Sequence, residues 1–326
     1  MALSTRQLWT LTSVGTASAL VLFPLKALST QILAATASQS VPAASTAQVN
    51  VFQAIILGMV QGLTEFLPIS STAHLKVVPV ALGWGDPGVA FTAVIQLGSI
   101  AAVLWYFWRD LTNITLGAIA AISQKNYQDN DFRIALGIAL GTLPIVFFGL
   151  LIKKFIPDFD NSPLRSLGAI AVASIVMSLL LGIAEKLGKR KRDFGKLGVQ
   201  DGVLMGLAQA MALIPGVSRS GSTLTAGLFM GLQRATAARF SFLLGIPAIT
   251  LAGLVELKSS LEGGLGDAGL IPLIVGVISA AIFSYISIAW LLRFLQTQST
   301  LVFIVYRLVF GVAILGAIAA GVLHNS

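Results

Sequence analysis

Apolar runs close to the ~20 residues that a helix needs to cross a bilayer recur along this chain. Six are unbroken, at roughly 89–108, 133–152, 166–184, 237–256, 271–293 and 302–323. Two more, 51–84 and 199–231, are interrupted near the middle by proline and a cluster of polar side chains. Lipid offers no hydrogen bonds to loose backbone, so a broken helix at membrane depth must be buried in protein or line a wet cavity. The expectation is an all-α polytopic membrane protein with six transmembrane helices and two re-entrant helical hairpins. Only 10% of the 326 residues are charged, against about a quarter in an ordinary soluble domain.

The chain has no cysteine, which excludes disulfides, thiolate nucleophiles and zinc–thiolate or iron–sulfur sites. Its net charge of +8 comes without the basic–aromatic patches that bind nucleic acid. The cationic loops read instead as topology signals and as contacts for anionic headgroups. The loop EKLGKRKRDFGKLG, residues 185–198, carries Lys186, Lys189, Arg190, Lys191, Arg192 and Lys196 against Glu185 and Asp193. That loop is expected on the cytoplasmic side, and counting back through three spans brings the first hairpin in from outside. The second hairpin, directly after the basic loop, enters from the cytoplasm.

Those opposite entries expose a repeat. GMVQGLTEFLPISS, from Gly58, resembles GLAQAMALIPGVSRS, from Gly206, at a spacing of 148 residues. Each has a glycine, a glutamine three residues on, then proline followed by serines. The expected organisation is an inverted repeat, 49–198 and 199–326, each half a hairpin plus three helices. Such architectures place their site where the broken elements meet. Residues 1–48 form a separate N-terminal extension, signal-like or an additional anchor helix with an Ala/Ser/Thr-rich linker.

Between Gln61 and Leu75 the chain reads QGLTEFLPISSTAHL. A carboxylate at membrane depth costs several kcal/mol unless it has a partner (insertion scales give roughly 2.5–3.5). Gln61 lies one turn before Glu65 on the same helix face. Pro68 ends the regular helix, after which Ser70, Ser71 and Thr72 offer hydroxyls and His74 an imidazole. Carboxylate, hydroxyl and imidazole together suit acid–base or nucleophilic work on an oxygen ester. A purely structural reading, with the serines capping a helix, competes with it.

The second interruption, IPGVSRSGSTLTAGL from Ile214, sets Arg219 among Ser218, Ser220, Ser222 and Thr223 where a new helix starts. Free amides, the positive helix end and a planar guanidinium form an anion site. Pairing of Arg219 with Glu65 is the structural alternative and is compatible with function. Phosphoryl transfer needs positioning and charge neutralisation above all, so the reading is an intramembrane site for a phosphorylated, lipid-borne group. No GxxxxGK[ST] loop is present, so nucleotide hydrolysis is not indicated.

At these residues the chain resembles the undecaprenyl-diphosphatase (bacitracin-resistance, BacA/UppP) family, whose two signature regions look like QGLTEFLPISSTAH and PGVSRSGST. The resemblance covers about residues 50–323 and implies removal of the terminal phosphate of undecaprenyl diphosphate, recycling the carrier lipid for peptidoglycan synthesis. It implies a divalent cation, Mg2+ or Ca2+, with Glu65 as ligand or base. Gln61 stands where the family also allows Glu, which leaves Glu65 as the single carboxylate for a metal. Ser71 or His74 would be the nucleophile or activate a water. Arg219 would clamp the diphosphate, with Gln61, Ser70, Thr72, Ser218, Ser220 and Thr223 as substrate-binding groups. The expected location is the bacterial plasma membrane, with the site open to the periplasm. Expected partners are undecaprenyl diphosphate, the bilayer and a second copy of the chain in a homodimer, with no nucleic acid. A polyprenyl-phosphate transporter is the alternative class, because inverted repeats with broken helices also build carriers.

Overall fold

The computed structural model describes residues 49–156, 159, 162–262 and 269–325. The N-terminal extension, 1–48, lies outside the described residues. Eleven α-helices follow in chain order, and no β-strand occurs among the described residues. They are α1 Val51–Phe66, α2 Ser71–Ala81, α3 Val89–Tyr106, α4 Trp108–Ser123, α5 Asn130–Phe155 and α6 Leu167–Leu187. After the basic loop come α7 Val199–Ala210, α8 Arg219–Phe229, α9 Arg234–Glu262, α10 Leu270–Thr297 and α11 Leu301–Ala319.

Six of these, α3, α5, α6, α9, α10 and α11, are long and apolar enough to cross a membrane. They coincide with the six unbroken runs of the sequence. Their outer faces carry large apolar side chains in the open, such as Trp105, Leu150, Leu254 and Ile271. On a water-soluble surface so much contiguous apolar area would drive association; here it is the lipid-facing wall of a multi-pass membrane protein.

Inside, small residues let the helices approach closely, as expected where lipid supplies no hydrophobic drive between helices. α1 lies on α10, where a Cβ on Gly58 would stand 2.8 Å from the Ser279 Cβ. α7 lies on α5, where a Cβ on Gly206 would come within 2.5 Å of the Gly141 Cα. Phe66, at the end of α1, packs edge-on against Phe242 of α9 with centroids 5.3 Å apart. That contact fixes the end of α1 in the main apolar core.

Two features were not foreseen. α4 has Ile114, Ala118 and Ala121 buried on one face, and its Asp110 accepts hydrogen bonds from Arg239 of α9 at 2.7 and 3.2 Å. The basic loop is also built rather than loose. Arg192 grips Asp201 at 2.6 and 2.8 Å, and this hydrogen-bonded carboxylate raises the guanidinium pKa further. Asp201 in turn accepts from the Gly198 amide at 2.9 Å, which anchors the start of α7. Glu185 gathers Arg190, Arg234 and Thr300.

Candidate active site

The first interruption is local chemistry. α1 stops at Phe66 because Leu67 precedes Pro68, and a residue before proline is pushed out of the helical region; Leu67 is extended at φ −68°, ψ 144°. Ser70 then caps α2 with φ +73°, a left-handed conformation that L side chains seldom adopt. Ser71, the next residue, donates its hydroxyl to Glu65 Oε2 at 2.7 Å. Gln61 Nε2 donates to the same oxygen at 3.2 Å and to Ser99 Oγ at 3.4 Å. Ser284 Oγ donates to Ser99 at 2.8 Å. A buried polar chain from α10 through α3 and α1 therefore orients the Glu65 carboxylate toward Ser71.

The second interruption repeats the backbone solution. α7 ends in a tight turn at Met211–Leu213, Gly216 takes φ +91°, and Ser218 takes φ +71°. Its hydroxyl accepts from the Gly221 amide at 3.2 Å, and α8 begins at Arg219. Left-handed serines cost on the order of 1–3 kcal/mol each and persist only where their surroundings hold them. Arg307 of α11, fully buried, supplies part of that hold. It donates to the carbonyl oxygens of Pro68 at 3.1 Å, Gly216 at 2.8 Å and Val217 at 3.0 Å. Ser220 Oγ adds a second tie between the segments, donating to Leu67 O at 2.9 Å.

The two turns meet. Arg219 Nη2 lies 3.5 Å from Glu65 Oε1, and both side chains are 10% exposed. All three guanidinium nitrogens of Arg219 are buried without a hydrogen-bond partner among the described residues. Buried polar groups in native proteins are almost always satisfied, so a guanidinium whose charge is met by Glu65 but whose N–H groups make no hydrogen bond has donors left for a second anion. α9 makes room for them, because a Cβ on Gly245 would overlap Arg219 Nη1. Beside the pair lies a cavity of about 170 Å³, lined by Glu65, Ser70, Ser71, Thr72, Gln96, Ser218 and Arg219 together with apolar residues of α5 and α9.

Of the residues singled out in the sequence, Glu65, Ser70, Ser71, Thr72, Ser218 and Arg219 line this cavity. Gln61 supports Glu65 from behind. Ser220 and Thr223 turn inward, Thr223 Oγ1 donating to Arg219 O at 2.8 Å and sharing a bond with Ser241 at 2.5 Å. His74 does not line the cavity; its nitrogens meet Ser70 O at 2.7 Å and the Tyr306 hydroxyl at 2.6 Å. Sequence reasoning did not single out Arg307, Tyr306, Gln96 or Gly245. Arg307 did leave a signal, since a lone arginine within a 19-residue apolar helix must find partners in the protein.

For a metal the donor set is sparse. Among the described residues no group of three or more His, Cys, Asp or Glu side chains is arranged to hold an ion. Glu65 is the one carboxylate among the residues lining the cavity. Such a set fits a cation that arrives with its ligand, because Mg2+ characteristically takes one or two carboxylates plus phosphate oxygens.

Comparison with known proteins identifies close relatives. The sequence profile described as "Bacitracin resistance protein BacA" matches residues 54–313. A protein of Trichormus variabilis named undecaprenyl-diphosphatase is 72% identical over the full length of both chains. One of the same name from Nostoc sp. is also 72% identical, again over the full length of both. A Synechocystis sp. protein of that name is 67% identical over 84% of each chain.

Proposed function

The chain belongs to the BacA bacitracin-resistance protein family, and from that premise and the geometry of the site we propose that it hydrolyses undecaprenyl diphosphate to undecaprenyl phosphate and inorganic phosphate. One observation carries the reading: two interrupted segments bring a hydroxyl, a carboxylate and a guanidinium with spare donors to one cavity. Ser71 Oγ bonded to Glu65 at 2.7 Å is a nucleophile beside its base. Arg219 has hydrogen-bond donors to spare for phosphate oxygens.

Arg219 binds the terminal phosphate and opposes the charge that develops on it. Glu65 takes the Ser71 proton as Ser71 Oγ bonds to the terminal phosphorus and the bond from that phosphorus to the bridging oxygen breaks. Undecaprenyl phosphate leaves, and water then releases the phosphate from Ser71. A divalent cation, Mg2+ or Ca2+, held by Glu65 and the diphosphate, would neutralise phosphate charge during this transfer. Gln61 keeps Glu65 turned toward Ser71, and the buried setting makes each of these interactions count for more than it would in water.

The proposed architecture is an inverted repeat, 49–198 and 199–326, with α1/α2 and α7/α8 as re-entrant hairpins. The pairing of helices supports it: α1 packs on α10, and its counterpart α7 packs on α5, the counterpart of α10. The matched left-handed serines, Ser70 and Ser218, support it independently. The basic loop at 185–198 then belongs in the cytoplasm of a plasma-membrane protein and the cavity opens to the periplasm. The test is phosphate release from undecaprenyl diphosphate by purified protein in detergent, with and without chelator. Detergent removes the second compartment a carrier needs, so chelator-sensitive hydrolysis supports the enzyme and its cation. Absent hydrolysis rejects the enzyme.

A further inference from the structure

His74 is a component of the first interruption that the mechanism above does not use. Its ring lies parallel to Phe310 at 3° with centroids 4.4 Å apart, and to Tyr306 at 11° with centroids 5.6 Å apart. A backbone carbonyl can only accept, so the 2.7 Å contact with Ser70 O puts the proton on Nδ1. Nε2 then accepts from the Tyr306 hydroxyl at 2.6 Å. Both nitrogens are committed, and the ring is 5% exposed. A nucleophile or base needs a nitrogen turned to the substrate, and this imidazole offers none.

The two matched turns show what the imidazole is for. At Ser218 the carbonyl is held by the helix itself, since the Ser222 amide donates to it at 2.9 Å. At Ser70 the corresponding bond, from the His74 amide, stretches to 3.4 Å. The imidazole of the same residue makes the short contact instead. The Ser70 peptide sets where Ser71, the first residue of α2, points its hydroxyl.

We infer that His74 is a positioning residue: its Nδ1–H holds the Ser70 carbonyl, Tyr306 fixes the tautomer, and together they aim Ser71 Oγ at Glu65. This rests on the reading of Ser71 as the attacking group, which Ser71→Ala tests separately. If Ser71→Ala keeps wild-type turnover, that reading falls, and the inference with it, whatever the His74 variants do.

The experiment compares His74→Asn, His74→Phe and Tyr306→Phe for kcat, KM and thermal stability, using phosphate release in detergent. Asparagine keeps a donor where Nδ1 stands, and phenylalanine keeps the stacked ring but has no donor. His74→Asn is expected to retain kcat within about fivefold of wild type. His74→Phe should lose on the order of 10²-fold in kcat with KM little changed, the scale of a small misplacement of a reacting group. Tyr306→Phe should lower kcat about tenfold alone yet add nothing to His74→Asn, a non-additivity expected of residues acting through one another. Equal inactivity of folded His74→Asn and His74→Phe would overturn the inference in favour of imidazole chemistry. Full activity in His74→Phe would reduce the residue to packing. If His74→Phe does not fold, Tyr306→Phe carries the test, and unchanged kcat there overturns the inference.

Discussion

Replacing Arg307 with methionine removes one buried cation and leaves three buried carbonyl oxygens, at Pro68, Gly216 and Val217, without this donor. The size of the effect can be bracketed. Hydrogen bonds to a charged group are worth about 1.5–3 kcal/mol each in soluble proteins. Interhelical bonds measured inside a membrane average only about 0.6 kcal/mol. With three bonds the expected destabilisation runs from about 2 kcal/mol on the membrane scale to about 5 kcal/mol at the lower soluble value. Relief of the arginine's own burial opposes this, but the usual offset needs both partners replaced by apolar groups. Backbone carbonyls cannot be replaced. Because the same bonds hold the turns that present Ser71 and Arg219, turnover should fall with stability. The assay is thermal unfolding in detergent alongside phosphate release, with Arg307→Lys as an intermediate that keeps the charge but not the planar fork. An unchanged melting temperature and wild-type turnover in Arg307→Met would refute the argument, by showing that the carbonyls are satisfied without Arg307.

Glu65→Gln keeps the shape of the side chain and deletes its charge, so loss of the base should lower kcat by roughly 10²–10⁴-fold; near-wild-type hydrolysis would make the carboxylate structural. Gly245→Ala puts a methyl group where Arg219 Nη1 lies, so KM for undecaprenyl diphosphate should rise as the guanidinium is displaced, while an unaltered KM would take Arg219 out of substrate binding. In this cysteine-free chain, Ser71→Cys and Thr72→Cys should react with impermeant thiol reagents added from the periplasmic side, and labelling from the cytoplasm alone would invert the proposed topology.

The spans were legible because a helix in lipid must be apolar over its whole length, and six runs had that length with no break. The interruptions were legible because proline and clustered hydroxyls at membrane depth need a structural reason. α4 was not, because it carries Arg109 and Asp110 at its start and buries only one face. The Glu65–Arg219 pair followed from the cost of leaving either charge alone. Direction was the part the sequence did not reveal. Glu65, Ser71 and His74 lie within ten residues, which suggested one relay. In the structure Ser71 meets Glu65 of α1 and His74 meets Tyr306 of α11. The left-handed Ser70 resets the helix phase after Glu65, so the spacing from Glu65 did not say which side chain of α2 would reach the carboxylate. Arg307 and Tyr306 were hidden for a different reason: they lie in the last span, far along the chain from the turns they touch.

Ser70 and Ser218 are 148 residues apart, the same spacing as Gly58 and Gly206, and they share a cap position and a left-handed backbone. The residue that follows is Ser71 in one half and Arg219 in the other, while Leu213 stands where the first half has Glu65. With a carboxylate at both positions, two like charges would face one cavity and hold one of them protonated. With an arginine at both, two cations would share a space with no counter-charge at rest. Dividing the charges between the two interrupted segments gives a pair that is neutral at rest, and breaking such a pair inside the protein costs several kcal/mol. In the proposed reaction a phosphate that brings its own negative charge, and a cation to share Glu65, would take the place of each partner without leaving either side chain alone. Both turns carry a left-handed serine, and both serines are buried against the rest of the protein. Under the proposed mechanism the side chains differ because an attacker with its base is needed on one side and a clamp on the other.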